Sequence, residues 1–492
     1  MRVTFIAAEC EPWAKTGGLA DVVDALARAL GTQPGAPVDA PIDVYLPRYR
    51  SVPVPEGAPV TPIRVPDPTA LTGTTEVRIV DVAADGYRLR LVDHPPAFDR
   101  DGFYGDAAGD YADNAWRFGL FCRAALEAIR ADGRATDVLS LHDWHAAPAV
   151  VFRDRWYADD PVIGRAAAVM TLHNLAYHGW VPRERLRELG LAVGDPILVE
   201  DAGLDLLRAG IDHAELVNTV SPGFAAEALT PQYGMGLNGT LRAKGDRFVG
   251  ILNGLDTTLW DPATDRDIVA PFSRGDVRGK AACRRELLVE LGLDPRDPSP
   301  VIGMIGRLDP QKGFDLLAGA APSLIADARL VVLGSGDAKL VASLRDVAAR
   351  RPDRVALLER FDRALARRIY AGIDLFAMPS RFEPCGQGQM IALRYGSPPI
   401  VRRTGGLRDT VVDELSSPGR GTGFAFDDAT PVALLAACRA AIARFATGGA
   451  GWDSLVDRGM AQDFDWTTGS APKYVDAFRR AVEIRATEHR GA

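Results

Sequence analysis

Short apolar runs that close on turn residues and give way to helical patterns recur ten times along this chain. The first series is Val3–Ala8, Ile42–Leu46, Val138–Leu141, Ala167–Thr171 and Leu216–Val220. The second is Val301–Ile305, Leu330–Leu333, Val355–Leu358, Leu375–Met378 and Pro399–Val401. A strand apolar on both faces, followed by a helix, is the βαβ unit, so the chain is expected to be α/β with parallel sheets. The stretch 250–256 (Gly-Ile-Leu-Asn-Gly-Leu-Asp) separates the two series and is rich in turn residues. This places a first domain at 1–250 and a second at 251–465, with 466–492 as a closing segment whose 470–486 stretch reads as a long amphipathic helix. The Gly- and Asp-rich stretch 102–109 is expected to be a surface loop.

A length of 492 residues suits two or three domains. A net charge of −8 argues against a nucleic-acid binder, whose footprint would be basic, but leaves room for a local cationic site. No apolar run nears the roughly 20 residues that span a bilayer, so no membrane partner is expected. Met1–Ala8 reads as a first buried strand rather than a signal peptide. Cys10, Cys122, Cys283, Cys385 and Cys438 are scattered, with no Cys-x-x-Cys pair, so neither a disulfide frame nor a zinc knot is expected, and a reduced, cytoplasmic setting is.

One motif occurs twice. Lys15-Thr16-Gly17-Gly18-Leu19-Ala20-Asp21-Val22-Val23 returns as Arg403-Thr404-Gly405-Gly406-Leu407-Arg408-Asp409-Thr410-Val411, with six of nine positions identical. A cation, a flexible Gly pair and a helix start suit an anion, because the first helical turn offers unpaired N–H groups and the positive end of the dipole. Two such loops, one per domain, suggest two halves gripping one diphosphate. Two ordinary helix starts after buried strands would give the same residues.

Other polar clusters stand at strand ends, where ligands bind in open α/β sheets. His142-Asp143-Trp144-His145 and His173-Asn174-Leu175-Ala176-Tyr177-His178 fit sugar hydroxyls beside an aromatic face, satisfied core histidines, or metal ligands, although neither repeats the His-Glu-x-x-His spacing. Arg307 and Lys312, five apart in a Gly-containing loop, could reach a diphosphate from two sides. Gly334-Ser335-Gly336-Asp337 lacks the third glycine of a dinucleotide fingerprint and reads as a tight turn. In the block 379–389, prolines at 379 and 384 hold the backbone on both sides of Glu383. That carboxylate could bond sugar hydroxyls or offset positive charge, or simply favour a helix N-terminus.

Taken in order, Lys15–Val22, His142–His145, Thr171–Asn174, Asn253–Asp256, Arg307 with Gln311-Lys312-Gly313, and Glu383-Pro384-Cys385-Gly386 resemble the bacterial glycogen synthases and plant starch synthases along nearly the whole chain. The resemblance implies a GT-B glycosyltransferase fold: two Rossmann-like, doubly wound domains facing across a cleft, with the C-terminal helix crossing back to the first. It implies retaining transfer of glucose from an ADP-glucose donor to the non-reducing 4-hydroxyl of an α-1,4-glucan such as glycogen, with no metal and no cofactor.

By motif, Lys15, Gly17, Gly18 and Asp21 would serve the donor from the first domain, with Lys15 mattering more for turnover than for nucleotide binding. Arg307 and Lys312 would neutralise the leaving ADP, and Glu383, with Cys385 and Gly386, would hold the transferred glucose. Thr404 and the amides of Gly405 and Gly406 would add donor contacts. His173 and Asp143 would line the reacting centre, Asn253 and Tyr370 would lie on the donor side with Tyr370 near the adenine, and Tyr111–Asn114 resembles an acceptor-side motif. Family members usually continue Glu-Pro-Cys-Gly with Leu-Thr-Gln or Leu-Asn-Gln. Gln387-Gly388-Gln389 departs from this, and the extra glycine is expected to loosen the turn. Ile391 stands where related transferases often carry a second Glu. Two other outcomes fit the motifs: a GT-B transferase using UDP-glucose, and a glucan-binding protein without turnover.

Overall fold

The computed structural model describes residues 1–32, 38–195 and 203–491. The chain divides into two compact units. Unit 1 comprises Met1–Val220, Ala225–Gly254 and Trp466–Ala492; unit 2 comprises Ser221–Phe224 and Leu255–Asp465.

In unit 1 the strands are β1 (Val3–Ile6), β2 (Ile42–Pro47), β3 (Val60–Pro66), β4 (Thr74–Ala83), β5 (Tyr87–Asp93), the short pair β6 (Gly105–Asp106) and β7 (Gly109–Asp110), β8 (Val138–His142), β9 (Ala167–Leu172), the pair β10 (Trp180–Pro182) and β11 (Gly203–Asp205), β12 (Leu216–Thr219) and β13 (Phe248–Gly250). Nine of them form one sheet in the order β13-β12-β9-β8-β1-β2-β5-β4-β3. All neighbours from β13 to β5 are parallel, and β4 and β3 are added antiparallel. Every residue of β1, β8 and β9 is buried, as expected for strands covered on both faces. At the edge, β3 is mostly exposed and carries Pro62 and Pro66, which blunt it against further pairing. The expected surface loop at 102–109 forms the β6–β7 hairpin, exposed over most of its length.

Strand order places the ligand end of this sheet. The chain runs from β1 outward to β2 on one side, and β8 pairs with β1 on the other, Val3 opposite Val138 and Ile6 opposite Leu141. The crevice beyond the carboxyl ends of β1 and β8 is therefore a topological switch point. The residues at this end are Ala7–Gly18, after β1, and His142–His145, which closes β8 and opens the next helix.

Unit 2 holds β14 (Val301–Ile305), β15 (Arg329–Leu333), β16 (Val355–Leu358), β17 (Leu375–Met378), β18 (Pro399–Arg402) and β19 (Phe424–Phe426), all parallel, in the order β16-β15-β14-β17-β18-β19. Counted from β14, this is the 3-2-1-4-5-6 order of the dinucleotide-binding fold, with its switch point between β14 and β17. Ile302, Leu330, Val332, Leu375 and Ile400 pack with Phe314, Leu317 and Leu434 from the helices Phe314–Leu324 and Pro431–Thr447 in the core.

The last segment rejoins unit 1. A π-helical turn, Trp466–Ser470, leads into the helix Ala471–Gly491. Asn218 Nδ2 of β12 donates to Tyr474 Oη at 3.2 Å, and Ser470 Oγ donates to the carbonyl of Leu252 at 2.6 Å.

Candidate active site

At the β14/β17 switch point of unit 2, two loops meet. Gly313, at φ 77°, ends the first, and a Cβ there would lie 2.2 Å from the carbonyl of Pro379 in the second, so only glycine permits this approach. Asp309 Oδ1 accepts from the amide of Lys312 at 2.8 Å, and the Arg381 amide donates to the carbonyl of Gln311 at 2.7 Å. These bonds aim the Lys312 side chain at Glu383, which is 5% exposed. Lys312 Nζ lies 2.9 and 2.7 Å from its two carboxylate oxygens, and Ser380 Oγ donates to Oε2 at 2.9 Å. Arg307 extends outward, its side chain 70% exposed, 3.4 Å from Asp309. A buried carboxylate with a lysine on it and an arginine standing clear beside it can take a ligand that carries both hydroxyls and negative charge.

The second Gly-Gly loop lies against this carboxylate's backbone. Gly406 N donates to the carbonyls of Glu383 and Pro384 at 3.1 and 3.2 Å. A Cβ at Gly405 (φ 43°) would fall 2.0 Å from the Glu383 carbonyl, and one at Gly406 2.3 Å from that of Cys385. The Gly406 amide, expected to serve a ligand, has protein acceptors in this structure, and the glycines let two protein loops touch. Arg403 is likewise paired with Asp413 at 3.1 Å.

The turn at 386–389 is fastened through Gln389, the one of its last three residues that matches the family pattern. Gln389, fully buried, donates from Nε2 to the carbonyls of Cys385 and Gly386 and to Thr410 Oγ1 at 3.1–3.2 Å. Gly388 begins the helix Gly388–Arg394, and a Cβ there would stand 3.0 Å from Phe376 and 3.2 Å from Tyr370 Oη. The departure at this position therefore relieves crowding against two aromatic rings. Tyr370 itself is buried, with Trp260, Phe376 and Tyr395 around its ring, so its contribution in this structure is to the wall behind the loop rather than a free stacking face.

At the β1/β8 switch point of unit 1, the first Gly-Gly loop is also filled from within. Glu9, buried at the end of the β1 run, accepts from Thr16 N (2.6 Å), Thr16 Oγ1 (2.6 Å), Gly17 N (3.0 Å) and Tyr104 Oη (2.6 Å). A protein carboxylate thus bonds the amide of Gly17, one of the two expected to serve a diphosphate, together with that of Thr16. Nothing lies within 4 Å of where a Cβ would stand on Gly17 or Gly18, so this face of the loop is open. Lys15 Nζ is held by Asp21 at 2.5 Å and Glu11 at 3.4 Å. Neither Glu9 nor Tyr104 stood out in sequence; a lone glutamate between the first strand and a glycine loop was the available signal.

Asp143 sits beside this loop at the end of β8, in a left-handed backbone conformation (φ 57°) that Asp tolerates better than most residues. Its Oδ1 accepts from the amides of His173 (2.7 Å) and Asn174 (3.5 Å). Burial outweighs these bonds and raises the carboxyl to about 7. His142 Nδ1 and His173 Nε2 share a hydrogen bond of 3.0 Å, and burial pushes both rings down, so both are neutral near pH 7. Tyr104 stacks on His145 at 4.5 Å, joining the Glu9 cluster to the His142–His145 segment. Asn253, just beyond the carboxyl end of β13, has a buried Oδ1 without a partner. Tyr111 stacks under Arg117 and Arg100, and Asp113 pairs with Arg100, so the Tyr111–Asn114 segment is engaged with its own neighbours.

Two Rossmann-like units, each with charged and hydroxyl-bonding side chains at the switch point of its sheet, define a glycosyltransferase of the GT-B fold. The family model described as Starch synthase catalytic domain matches residues 2–243, and the one described as Glycosyl transferases group 1 matches residues 299–444. Glycogen synthase of Anaeromyxobacter dehalogenans is 43% identical over 97% of this chain and 99% of its own length. Glycogen synthase 2 of Geobacter sulfurreducens is 39% identical over 99% of this chain and 100% of its own. The catalytic domain of starch synthase IV from Arabidopsis thaliana, solved bound to ADP and acarbose, superposes with a TM-score of 0.87 at 33% identity, covering 98% of this chain and 99% of that one. The chain belongs to the glycogen synthase and starch synthase family. Among the described residues, no helix is long and apolar enough to cross a membrane.

Proposed function

We propose that the protein is a cytoplasmic enzyme that transfers glucose, with retention, from ADP-glucose to the non-reducing 4-hydroxyl of an α-1,4-glucan, elongating glycogen. The observation that carries this reading is the Lys312–Glu383 contact at the unit 2 switch point, with Arg307 exposed beside it. Breaking the bond between glucose and diphosphate develops negative charge on the nucleotide and positive charge on the sugar. Arg307 and Lys312 answer the first charge and the buried carboxylate of Glu383 the second. A diphosphate draws Lys312 toward itself and releases carboxylate oxygens of Glu383 for sugar hydroxyls. None of these residues is placed as a covalent nucleophile, so transfer on one face is the route, with the leaving phosphate taking the proton of the attacking hydroxyl. In unit 1, Lys15 supplies further charge to the donor, while Asp143 and the neutral His173 line the acceptor side. The ADP carried by the starch synthase IV structure supports an adenine nucleotide over a uridine one.

The test is ADP release from ADP-glucose in the presence of glycogen, run beside UDP-glucose. Release from ADP-glucose alone is expected. Lys312→Ala and Arg307→Ala should each depress turnover about 10²- to 10³-fold with melting behaviour preserved. Near-normal turnover in both variants, or preference for UDP-glucose, overturns the reading.

A further inference from the structure

Lys280, on the helix Arg278–Glu290, lies outside every motif considered above. Its Nζ reaches four oxygens: the carbonyl of Tyr395 and Ser397 Oγ at 2.8 Å, and the carbonyls of Ala371 and Tyr370 at 3.1 and 3.4 Å. These oxygens are not scattered. Tyr370 and Ala371 belong to the last turn of the helix Arg363–Gly372, and Tyr395 caps the end of the helix Gly388–Arg394. The last carbonyls of a helix lack intrahelical donors and carry its partial negative charge. One ammonium therefore closes the carboxyl ends of two helices at once. Ser397 Oγ completes the joint, bonding the carbonyls of Tyr370 and Ile373 at 3.0 and 2.9 Å.

Both helices lead to the donor side. The first carries Tyr370 near its end, whose hydroxyl borders Gly388. The second starts at Gly388 and carries Gln389, which holds the carbonyls of Cys385 and Gly386, two and three residues from Glu383. We propose that Lys280 is a positioning residue for the nucleotide-sugar donor: by clamping the far ends of these two helices, it fixes Tyr370 and the Glu383–Gly386 turn relative to each other. The inference rests on the reading of unit 2 as the donor-binding unit.

The charged and titratable surroundings of Lys280 are few. Asp374 favours its charged form; Arg284, which itself binds Asp374 at 3.0 Å, opposes it; Cys283 lies on the same helix; and the Phe272 ring stands 5.6 Å from Nζ. Burial dominates and lowers the ammonium to about 8. The clamp accordingly weakens as pH rises through that value, because a neutral amine donates one hydrogen bond fewer and no longer answers the helix ends.

The experiment measures KM for ADP-glucose, KM for glycogen and kcat from about pH 7 to 9.5, for the unaltered protein, Lys280→Met and Lys280→Arg. ADP binding is measured alongside. For the unaltered protein, KM for ADP-glucose should rise above pH 8 while KM for glycogen stays level. Lys280→Met should raise donor KM about tenfold at pH 7, the scale of a lost charged contact at helix ends, and flatten its pH dependence. Lys280→Arg, which keeps the charge, should recover part of the loss. A donor KM that is level to pH 9.5 in the unaltered protein overturns the proposal, even if Lys280→Met fails to fold. A folded Lys280→Met with unchanged donor KM, or with both KM values raised alike, also overturns it. Absence of ADP binding and turnover in the unaltered protein would instead refute the proposed function.

Discussion

A single carboxylate, Glu9, collects four donors at 2.6–3.0 Å and so fixes the loop that carries Lys15. Glu9→Gln would replace one acceptor oxygen with an NH2 group facing donors, leaving buried groups unpaired at about 1–3 kcal/mol. The expected result is a lower melting temperature and a loss of turnover larger than the change in ADP affinity, read by calorimetry and steady-state kinetics. An unchanged melting temperature would show that the loop does not depend on Glu9. Asp143 offers a test in pH. Its folded carboxyl lies near 7, against about 3.9 in an unfolded chain. Between these values the native state binds more protons, so this residue's contribution is fully present below pH 4 and is lost as pH rises toward 7. Asp143→Asn keeps the acceptor for the His173 amide without the charge. Melting temperatures should therefore differ little at pH 4 and favour the Asn variant increasingly by pH 8; a constant difference would refute the assignment.

At the scale of elements, the repeated Gly-Gly loops turn out to serve different ends. Both begin a helix after a buried strand, as their sequence implies. Yet Gly17 and Gly18 face open space, whereas Gly405 and Gly406 press against the carbonyls of Glu383 and Cys385. Gly405→Ala meets both a carbonyl at 2.0 Å and a left-handed backbone, and should unfold unit 2 or displace the Glu383 loop. Gly17→Ala meets neither, and its melting temperature should stay close to that of the unaltered protein. Similar losses in the two variants would contradict this distinction. The motif alone could not separate them, because what a glycine avoids is set by a segment distant in sequence. The parallel strands were legible, since full burial on both faces leaves an unbroken apolar run. Strands β3 to β5 were not: β3 is mostly exposed, β4 mixes buried and exposed residues, and β5, though buried, is interrupted by Arg88 and Arg90, so none of them shows an unbroken apolar run. Gln389 was legible as the residue of its turn that matches the family pattern, but one of its three hydrogen bonds depends on Thr410, 21 residues away.

For the molecule as a whole, the chain completes unit 1 only after unit 2 has been made, because Trp466 onward packs with the first unit. The closing helix was readable from its amphipathic pattern, but its anchor was not, since that anchor draws on three separate stretches. Glu215, beside β12, accepts from Arg153 at 2.9 and 3.0 Å, from the Ala168 amide of β9 at 2.6 Å, and from Arg485 of the closing helix at 3.1 Å. Arg153 is fully buried and the Glu215 side chain is 2% exposed, whereas Arg485 retains 12%. Removing one member of a buried pair leaves the other charge uncompensated, at about 3–5 kcal/mol. Glu215→Ala takes one carboxylate from two arginines at once and leaves both to Asp154, 2.8 Å from Arg153 and 3.4 Å from Arg485, while Arg485→Ala removes a partly exposed partner and leaves the Arg153–Glu215 pair intact. Glu215→Ala should therefore lower the melting temperature markedly and speed proteolysis of the closing helix, and Arg485→Ala should do so less. Folded protein of either variant should still bind ADP, since Arg307, Lys312 and Glu383, the residues proposed to hold the donor, all belong to unit 2. If Arg485→Ala proves as damaging as Glu215→Ala, the helix is held by its own ion pair rather than by the buried cluster; if neither variant shifts the melting temperature, apolar packing of Tyr474, Phe478 and Ala481 holds it unaided.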